Sequence, residues 1–413
     1  MSKRGLFAVC LVVGAAGAAR AQDDTALRAR LEARIARAPA TAVGLYYRSL
    51  GRADSMLIGA NLRLHAASTM KIPVMIQLFR DADAGLVRLD DSLRVHATFP
   101  SLADGSPFTT RKEDDSDSTL YVRIETQASL RELLDLMITR SSNLATNILI
   151  ERVGAERAQR TARMLGAWSM QVLRGVEDGA AYRAGLNNTT TARDLGALLG
   201  AIADGRAASR SACDSMLAIL GRQEFNEGIP AGVPPGTRVA HKTGWIGEVV
   251  YHDAAIVYPA SGGRYVLVIV TGGIKEDTVA HHLVADLSRL VYRAAALPSA
   301  GSRSLLLGDG LLSQHLLREP EHQPRDDQEI HGGAEHRTEQ EVDGTDVEGR
   351  GAPGPSGDEE GDDRHEDAVH QRAHERVRLA TDDDGDGQTD DAVLLEECDE
   401  LLTHEGLLPK GRF

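Results

Sequence analysis

The amino-acid sequence predicts an α/β sandwich of the α+β class, in which a five-stranded antiparallel sheet with flanking helices adjoins an all-helical subdomain. Two strand-like segments lie near the start of residues 22–295, and three more lie near their end. A helical block separates the two groups of strands, and amphipathic helices stand at both termini of this region. Strands so distant in sequence are expected to form one sheet, with the terminal helices packed on it.

The first 21 residues have the pattern of a secretory signal peptide. A basic pair at 3–4 precedes an apolar run from Leu6 to Ala19, and Ala19-Arg20-Ala21 matches an A-x-A cleavage site. The apolar run is short for a membrane span. We therefore expect a secreted or periplasmic protein without a membrane span, whose mature chain begins near residue 22.

The first elements of the mature region follow from apolar periodicity. Helical spacing over 25–37 predicts a helix. Ala42–Ser49 and Ser55–Ile58 then predict two strands joined by a turn. A second helix is predicted from Thr69 to Ala84, with Pro73 in its first turn, where a proline is tolerated.

The rest of this region is predicted to be a helical block followed by strands and a closing helix. The block comprises five helical segments: 129–139, 142–152, 155–165, 192–204 and 211–222. Three predicted strands follow it: 239–243, 253–258 and 264–271. A closing helix is predicted over 277–292. A substrate pocket is expected between the sheet and the helical block.

Residues 97–125 interrupt this pattern of elements. Asp114, Asp115 and Asp117 make the stretch charged and rich in turn-forming residues. Such a composition predicts a solvated surface loop. Because the stretch ends shortly before the serine-rich segment at 141–143, a role near the rim of a pocket also stays open.

Residues 296–413 form a tail of different composition. They hold 31 of the 61 acidic residues and 11 of the 46 basic ones, which leaves 30 acidic and 35 basic residues in 1–295. The net charge of -15 therefore describes the tail rather than an active site. With one aromatic residue and almost no apolar periodicity, the tail is predicted to be disordered. The alternative is a shifted reading frame joined after the closing helix.

Three short motifs occur in one order: Ser68-Thr-Met-Lys71, Ser141-Ser-Asn143 and Lys242-Thr-Gly244. Each alone could be a helix cap or a turn. The chain has only six lysines, however, and two of them stand in these motifs. Their order and local settings together indicate an active site. Histidines of the tail lack metal-ligand spacing, so neither a metal nor a cofactor is predicted.

The first motif combines a nucleophile with a base. Ser-x-x-Lys on a helix places the Ser68 hydroxyl and the Lys71 ammonium one turn apart on the same face. An unassisted serine hydroxyl is a weak nucleophile, but a lysine in a closed pocket can lose its proton and act as the base. Together the motifs read S-x-x-K, S-x-N and K-T-G, the signature of penicillin-recognising serine acyl-transfer enzymes.

With these motifs, residues 22–295 resemble the class A serine β-lactamases and their close serine-hydrolase relatives, whereas the tail shares nothing with them. The resemblance implies that Ser68 attacks the lactam carbonyl and that Lys71 accepts its proton directly or through water. It also implies that the Ser141 hydroxyl relays a proton to the departing lactam nitrogen.

The resemblance further implies how the substrate is held. Asn143 matches the amide that binds the substrate's side-chain carbonyl. Lys242 and Thr243 match the residues that hold the substrate carboxylate, and Gly244 completes their motif. The backbone N–H of Trp245 would form an oxyanion hole with the N–H of the nucleophile.

The base for deacylation is predicted at Glu177, in a loop that departs from the family's pattern. Glu177 precedes the Thr-rich helix start at 189–191, but Leu186-Asn187 follows it by about ten residues instead of three or four. Asn188 stands where the family usually has an Asp paired to a loop arginine such as Arg174. Glu177 could instead be a solvated loop acid.

Three further departures concern the rest of the site. Ser142 stands where Asp is usual in the second motif, and Trp245 is bulkier than the residue expected after K-T-G. His252 falls near the place of an arginine that helps hold the substrate carboxylate. These changes bear on substrate range more than on acylation.

The sequence therefore predicts a secreted serine β-lactamase, a monomer that acts on a small-molecule β-lactam and has no nucleic-acid partner. Two alternatives stay open. A peptidoglycan DD-peptidase or transpeptidase shares the three motifs but lacks a deacylating loop acid. A penicillin-binding sensor module would be acylated and never turn over.

Overall fold

The computed structural model of the protein describes residues 23–295. The predicted signal peptide, 1–21, and the predicted disordered tail, 296–413, lie outside the described residues, so both stay predictions.

Strands and helices follow one another within this region. The strands are Ala42–Ser49 (β1), Ser55–Ile58 (β2), Leu64–His65 (β3), Ser92–Arg94 (β4), Thr98–Pro100 (β5), Pro107–Thr109 (β6), Gln127–Ser129 (β7), Thr189–Thr190 (β8), Arg238–Ile246 (β9), Val250–Tyr258 (β10) and Tyr265–Gly272 (β11). The helices are 23–35 (α1), Lys71–Asp83 (α2), Leu130–Thr139 (α3), Asn143–Val153 (α4), Ala155–Met164 (α5), Gly179–Arg183 (α6), Ala192–Ala203 (α7), Arg210–Leu220 (α8) and Asp277–Ala295 (α9).

The predicted five-stranded antiparallel sheet is confirmed. Its strand order is β2-β1-β11-β10-β9, so the first and last strands of the region meet at its centre. β1 pairs with β11 along its whole length, from Ala42 opposite Gly272 to Ser49 opposite Tyr265. β9 forms the edge that carries the third motif, and every partner in the sheet is antiparallel.

The sheet is covered on both faces, as a sandwich requires. Along β11, Val266 and Val268 belong to the core beneath the helical block, whereas Leu267 and Ile269 belong to a second core shared with α1 and α9. Successive side chains of a strand point to opposite faces. The unbroken apolar run of β11 therefore fills two cores at once.

Helix α2 lies at the centre of the helical block. Ten of its residues are buried, among them Lys71, so it packs against neighbours on nearly all sides. The predicted helix over 69–84 is correct except at its start. Ala67–Met70 forms a 3-10 turn, and regular α-helix begins at Lys71. Short 3-10 segments are frequent where helices begin.

Residues 97–125 are more ordered than a solvated loop. β5 and β6 form a hairpin, and its Ser101 hydroxyl donates to Asp178 Oδ1 over 2.8 Å. Asp117 is buried, and Asp115 accepts hydrogen bonds from the start of α4. Most of this stretch is exposed, as expected of a surface loop, but long-range polar contacts hold it and join it to the start of α4.

No helix within 23–295 is both long enough and apolar enough to cross a membrane.

Candidate active site

The three motifs meet where the helical block faces the edge of the sheet. Ser68 is half-buried in the 3-10 turn that precedes α2. Ser141 lies in the turn between α3 and α4, and Lys242 lies on β9. The 3-10 turn rests directly on β9. A Cβ added to Gly244 would lie 3.0 Å from Thr69 Cγ2, so a larger residue at this position would require the turn to shift.

Lys71 is fully buried and its ammonium is surrounded by acceptors. Its Nζ donates to the Ser141 carbonyl oxygen (2.5 Å), to Ser141 Oγ (3.1 Å) and to Asn143 Oδ1 (2.9 Å). Burial lowers the pKa of Lys71 to about 7, although the nearby Asp115 and Glu177 carboxylates oppose this shift. A buried lysine with this pKa can be a neutral base near neutral pH.

The Ser141 hydroxyl lies between two lysines. Lys242 Nζ donates to Ser141 Oγ over 3.0 Å and to the Thr243 carbonyl oxygen over 2.9 Å. Lys242 is also fully buried, and burial, together with the charge of Lys71, holds its pKa well below the usual value. Ser141 can therefore receive a proton from one lysine side while its own proton is passed on.

Glu177 reaches the same cluster through Asn143. The Asn143 Nδ2 group donates to Glu177 Oε1 over 2.6 Å, while its Oδ1 accepts from Lys71. Burial raises the pKa of Glu177 to about 7, although the hydrogen bond from Asn143 and the charge of Lys71 act in the opposite sense. One amide thus bridges an acid and a base whose pKa values converge.

The loop that carries Glu177 is pinned by Asn147, a residue that the sequence analysis did not single out. Asn147 Oδ1 accepts from the Val176 N–H (2.7 Å), and its Nδ2 donates to the Val176 carbonyl (3.0 Å). A Cβ on Gly175 would overlap the Asn147 amide, so the loop needs glycine there. Asn147 lies one turn after Asn143 on α4, a spacing that could have suggested a shared role.

Backbone strain is concentrated in this cluster. Within 23–295, the non-glycine residues with positive φ are Ala67 (46°), Glu125 (74°), Ser141 (59°) and Glu177 (62°). Such conformations are uncommon for residues other than glycine and persist where the surrounding structure enforces them. Ala67, Ser141 and Glu177 all adjoin or belong to the motifs, as expected for a preorganised site.

The remaining residues predicted to contact substrate lie on the edge strand. Thr243 is buried, whereas the Trp245 side chain is 52% exposed at the end of β9. The Trp245 indole Nε1 donates to Asp277 Oδ1 over 2.6 Å. The indole is thus directed toward the start of α9, which leaves the surface beside Gly244 to the 3-10 turn.

His252 lies opposite Gly244 on the neighbouring strand, but it is buried and leaves no ring nitrogen for the substrate carboxylate, so its expected role there is wrong. It is fully buried, its Nε2 lies 2.9 Å from the His65 carbonyl oxygen, and its Nδ1 accepts from the Thr271 N–H over 3.3 Å. The side chain is therefore a core histidine that ties β10 to β3 and β11. Both of its ring nitrogens have partners within the fold.

The rebuilt loop around Glu177 is closed by uncharged partners. Asn188 Oδ1 accepts from the Arg174 N–H over 3.2 Å, and Asn188 Nδ2 donates to the Arg174 carbonyl over 2.9 Å. The Arg174 guanidinium donates to the Leu186 carbonyl and to Asn187 Oδ1. Amide and carbonyl groups thus stand in place of the ion pair that the resemblance implies.

Asp115 is a second residue that sequence reasoning missed. Its carboxylate accepts from the backbone N–H groups of Asn143 and Leu144 at the start of α4. The acidic run before the second motif was the available signal, together with Ser142 in the usual place of an Asp. The long sequence separation between the two segments concealed the contact.

A metal site is not found among the described residues. Within 23–295, no group of three or more His, Cys, Asp or Glu side chains could hold a metal ion.

A sandwich with a serine–lysine pair at the junction of its sheet and its helical block defines the class of penicillin-recognising serine enzymes. The chain belongs within that class to the beta-lactamase enzyme family, whose model matches residues 26–295.

Curated relatives are similar over parts of their length. A beta-lactamase of Bacillus licheniformis is 27% identical over 175 residues, which cover 41% of this chain and 57% of that protein. Beta-lactamase 1 of Streptomyces cacaoi is 29% identical over 180 residues, which cover 40% and 53% of the two chains. The chain thus spans little more than half the length of these two relatives. A Streptomyces fradiae beta-lactamase is matched over 92% of its length at 24% identity.

Solved structures share the fold. PBP-A is 30% identical with a TM-score of 0.57, and the match covers 66% of this chain and 96% of PBP-A. A beta-lactamase from Sphaerobacter thermophilus is 26% identical with a TM-score of 0.56, covering 66% and 98%. A mutant of PBP-A, solved as an acyl-enzyme complex with penicillin G, is 31% identical with a TM-score of 0.56, covering 66% and 96%.

Proposed function

We propose that this protein is a class A serine β-lactamase that hydrolyses the β-lactam amide through an acyl-enzyme on Ser68. The observation that carries the proposal is the hydrogen-bonded chain from Lys71 through Asn143 to Glu177, in which the pKa values of both ionisable groups lie at about 7. A turnover enzyme needs a base for each half-reaction, and this chain offers one on each side of Asn143.

In the acylation step, Ser68 Oγ forms a bond to the lactam carbonyl carbon and loses its proton to neutral Lys71. The C–N bond of the lactam then breaks. Ser141 Oγ lies within 3.1 Å of Lys71 Nζ and 3.0 Å of Lys242 Nζ, so its hydroxyl can hand a proton to the departing nitrogen and be reprotonated. The lowered pKa of Lys71 makes the neutral amine available.

Substrate binding is proposed on the edge of the sheet. Lys242 and Thr243 would hold the substrate carboxylate, and the Asn143 amide would bind the side-chain carbonyl. The backbone N–H groups of Ser68 and Trp245 would stabilise the oxyanion. The close packing of the 3-10 turn on Gly244 supports this pairing, because it sets the nucleophile beside β9.

In the deacylation step, Glu177 is proposed to remove a proton from water as the water oxygen attacks the ester carbon. The ester C–O bond then breaks and Ser68 regains its proton. A pKa of about 7 suits this role, since the carboxylate is substantially ionised at neutral pH and is still basic enough to accept a proton. The strained backbone at Glu177 supports a functional rather than a solvated carboxylate.

A peptidoglycan DD-peptidase or transpeptidase is the second candidate. The observation that favours it is the 30% identity with PBP-A over 96% of that chain. The rebuilt loop around Glu177 is compatible with either reading. The two functions differ in the lifetime of the penicilloyl-enzyme, which is short in a β-lactamase.

We also propose that the enzyme acts outside the cytoplasm. The basic start, the apolar run and the Ala19-Arg20-Ala21 site support export. A β-lactamase is useful in that compartment, since its proposed substrate arrives from outside the cell.

Steady-state hydrolysis of nitrocefin by the purified full chain tests the proposed function. We expect many equivalents to be hydrolysed per enzyme, and none by Ser68→Ala. Stoichiometric labelling without turnover, combined with D-alanine release from a D-Ala-D-Ala peptide, would establish the DD-peptidase reading. Labelling with neither turnover nor peptide cleavage would leave the sensor reading.

A further inference from the structure

The N-terminus of α4 has two caps that come from different parts of the chain. Ser142 Oγ accepts from the Ala145 N–H over 3.2 Å. Asp115 accepts from the Asn143 N–H and, through Oδ2, from the Leu144 N–H, each over 2.9 Å. The first N–H groups of a helix have no partners within the helix, and a carboxylate there is favoured by the helix dipole.

Asp115 is itself held in place. The Tyr121 hydroxyl donates to Asp115 Oδ2 over 3.1 Å, and the Asp117 N–H donates to Asp115 Oδ1 over 3.1 Å. The Ser116 hydroxyl donates to the Arg140 carbonyl over 2.8 Å, immediately before Ser141. The segment around Asp115 is thus attached to the turn that carries the second motif.

Asp115 accepts a hydrogen bond from the backbone of Asn143, the residue that bridges the two proposed bases. Asn143 is the first residue of α4, and its amide receives Lys71 on one side and donates to Glu177 on the other. Ser141, two residues earlier, has a φ of 59°. A small rotation of this helix start would move the bridging amide relative to both ionisable groups.

We propose that Asp115 is a positioning residue that fixes Asn143 in the Lys71–Glu177 bridge, and that it supplies from a separate segment the carboxylate that Ser142 lacks. The inference rests on the proposed function in one respect, namely that Glu177 acts as the base in deacylation. Asn143 also accepts a hydrogen bond from Lys71, the base proposed for acylation, so labelling of Ser68 reports on its position whether the enzyme turns over or not.

The charge of Asp115 gives the proposal an electrostatic consequence. Glu177 accepts a hydrogen bond from Asn143 on α4 and interacts electrostatically with Lys71 on α2. From the segment before α3, the titratable groups that interact with it are Arg111, Asp114, Asp115 and Tyr121. Asp115 raises the pKa of Glu177 and that of Lys71. Removing its charge should therefore move the acid limb of deacylation to lower pH, which a loss of packing alone would not do.

The test compares three variants of the full chain with the wild type. Asp115→Asn removes the carboxylate. Asp114→Asn is the matched control for the rate of labelling, since Asp114 is exposed and pairs with Arg111 rather than with α4. Its charge also raises the pKa of Glu177, so it does not serve as a control for the acid limb. Asp115→Asn combined with Ser142→Asp returns a carboxylate to the helix start. The position suits this because Ser142 Oγ lies 3.5 Å from Asp115 Oδ2. Asp is a favoured residue at a helix N-cap.

The readouts are the rate of Ser68 labelling by a fluorescent penicillin, the decay of the adduct from pH 5 to 8, and the melting temperature. We expect Asp115→Asn to slow labelling by about 10- to 100-fold, the scale of a misplaced catalytic group. Asp114→Asn should label within about twofold of the wild type, and the double variant should recover most of the loss.

Two results would overturn the proposal. One is a folded Asp115→Asn variant that labels as fast as Asp114→Asn. The other is a slow variant that neither shifts its acid limb nor recovers with Ser142→Asp. If Asp115→Asn does not fold, Tyr121→Phe removes the hydrogen bond that the Tyr121 hydroxyl donates to the Asp115 carboxylate. An unchanged labelling rate in Tyr121→Phe would count against the proposal. Failure of wild-type turnover would instead refute the proposed function, since labelling is measured separately.

Discussion

At the level of single residues, the pKa values of Lys71 and Glu177 are shifted in opposite directions and come close to each other. Burial lowers the pKa of Lys71 to about 7 and raises that of Glu177 to about 7. The Asn143 amide lies between them. Groups with pKa values near the working pH exchange protons with little free-energy difference. The site can therefore use an amine as one base and a carboxylate as the other.

This arrangement predicts how deacylation depends on pH. Glu177 accepts a proton only when ionised, and its pKa is raised to about 7. The rate constant for loss of the penicilloyl adduct should therefore be half-maximal near pH 7 and fall about tenfold per unit well below it. Stopped-flow mixing followed by acid quench at each pH measures this constant. A flat profile between pH 5 and 8 would exclude Glu177 as the base.

The same carboxylate should cost the folded protein stability. Its pKa is raised from 4.5 to about 7, so ionising Glu177 opposes folding. This cost is absent below about pH 4.5, grows as the pH rises and is complete above about pH 7. We predict that Glu177→Gln melts about 3 °C higher than the wild type at pH 8, on the order of 1 kcal/mol.

Calorimetry at pH 5 and pH 8 checks this stability prediction, with the exposed Glu113→Gln as the control. The gain should shrink at pH 5. A lower melting temperature for Glu177→Gln at pH 8, or a gain that does not vary with pH, would show that the carboxylate is not held against a desolvation cost.

At the level of elements, the contact of a 3-10 turn with an edge strand positions Ser68, the proposed nucleophile. Gly244 on β9 faces Ala66, Ala67 and Thr69, and a Cβ there would lie 3.0 to 3.2 Å from their atoms. Gly244→Ala should therefore push the turn away from the strand. We predict labelling of Ser68 about tenfold slower, with about 1 to 3 kcal/mol of lost stability.

Gly51→Ala is the control for this substitution, because nothing lies within 4 Å of a Cβ at that glycine. Labelling by a fluorescent penicillin and thermal unfolding are measured on both variants. Equal labelling rates for the two would mean that the turn does not depend on its contact with β9.

How far the sequence predicts the elements depends on how local their signals are. Ala42–Ser49 and Ser55–Ile58 are strands at the predicted bounds, because each is a short, mainly apolar run and a Gly-Arg turn separates them. β9 and β10 extend beyond the predicted 239–243 and 253–258. Their extra residues pair across a short turn, with Ile246 opposite Val250, and this pairing is a property of two strands rather than of either sequence.

Site residues that belong to short motifs could be predicted from the sequence, whereas residues that act through distant contacts could not. Ser68, Lys71 and Lys242 follow from motif spacing. Asp115 and Asn147 act through hydrogen bonds to segments 28 to 29 residues away, which no local pattern contains. Propensity and periodicity report local preferences, whereas such contacts arise from the tertiary fold.

At the scale of the whole molecule, one sheet separates two cores, and all three motifs lie on the side of the helical block. The core on the opposite face includes Leu31 from α1 and Leu283 and Leu287 from α9, so both termini of the described region are anchored in it. Both cores that support the sheet and the helical block are thus built from residues of the described region.

We predict that residues after 298 are dispensable for this region, because they hold a single aromatic residue, Phe413, and almost no apolar periodicity. A chain ending at Pro298 should keep the melting temperature and activity of the full chain. A loss of more than about 5 °C, on the order of 1 to 2 kcal/mol, would show that the tail packs on the core. Differential scanning calorimetry of the two proteins decides between these outcomes.

The lifetime of the penicilloyl adduct on Ser68 distinguishes a β-lactamase that uses Glu177 from a protein that is acylated without turnover. Intact-mass spectrometry follows the wild type and Glu177→Gln after mixing with excess penicillin G. We predict that the wild type hydrolyses many equivalents of penicillin G and clears the adduct. Glu177→Gln should accumulate the adduct for minutes, with turnover reduced about a hundredfold or more. Wild-type protein that retains one stable adduct, or a Glu177→Gln variant that clears it equally fast, would contradict the account.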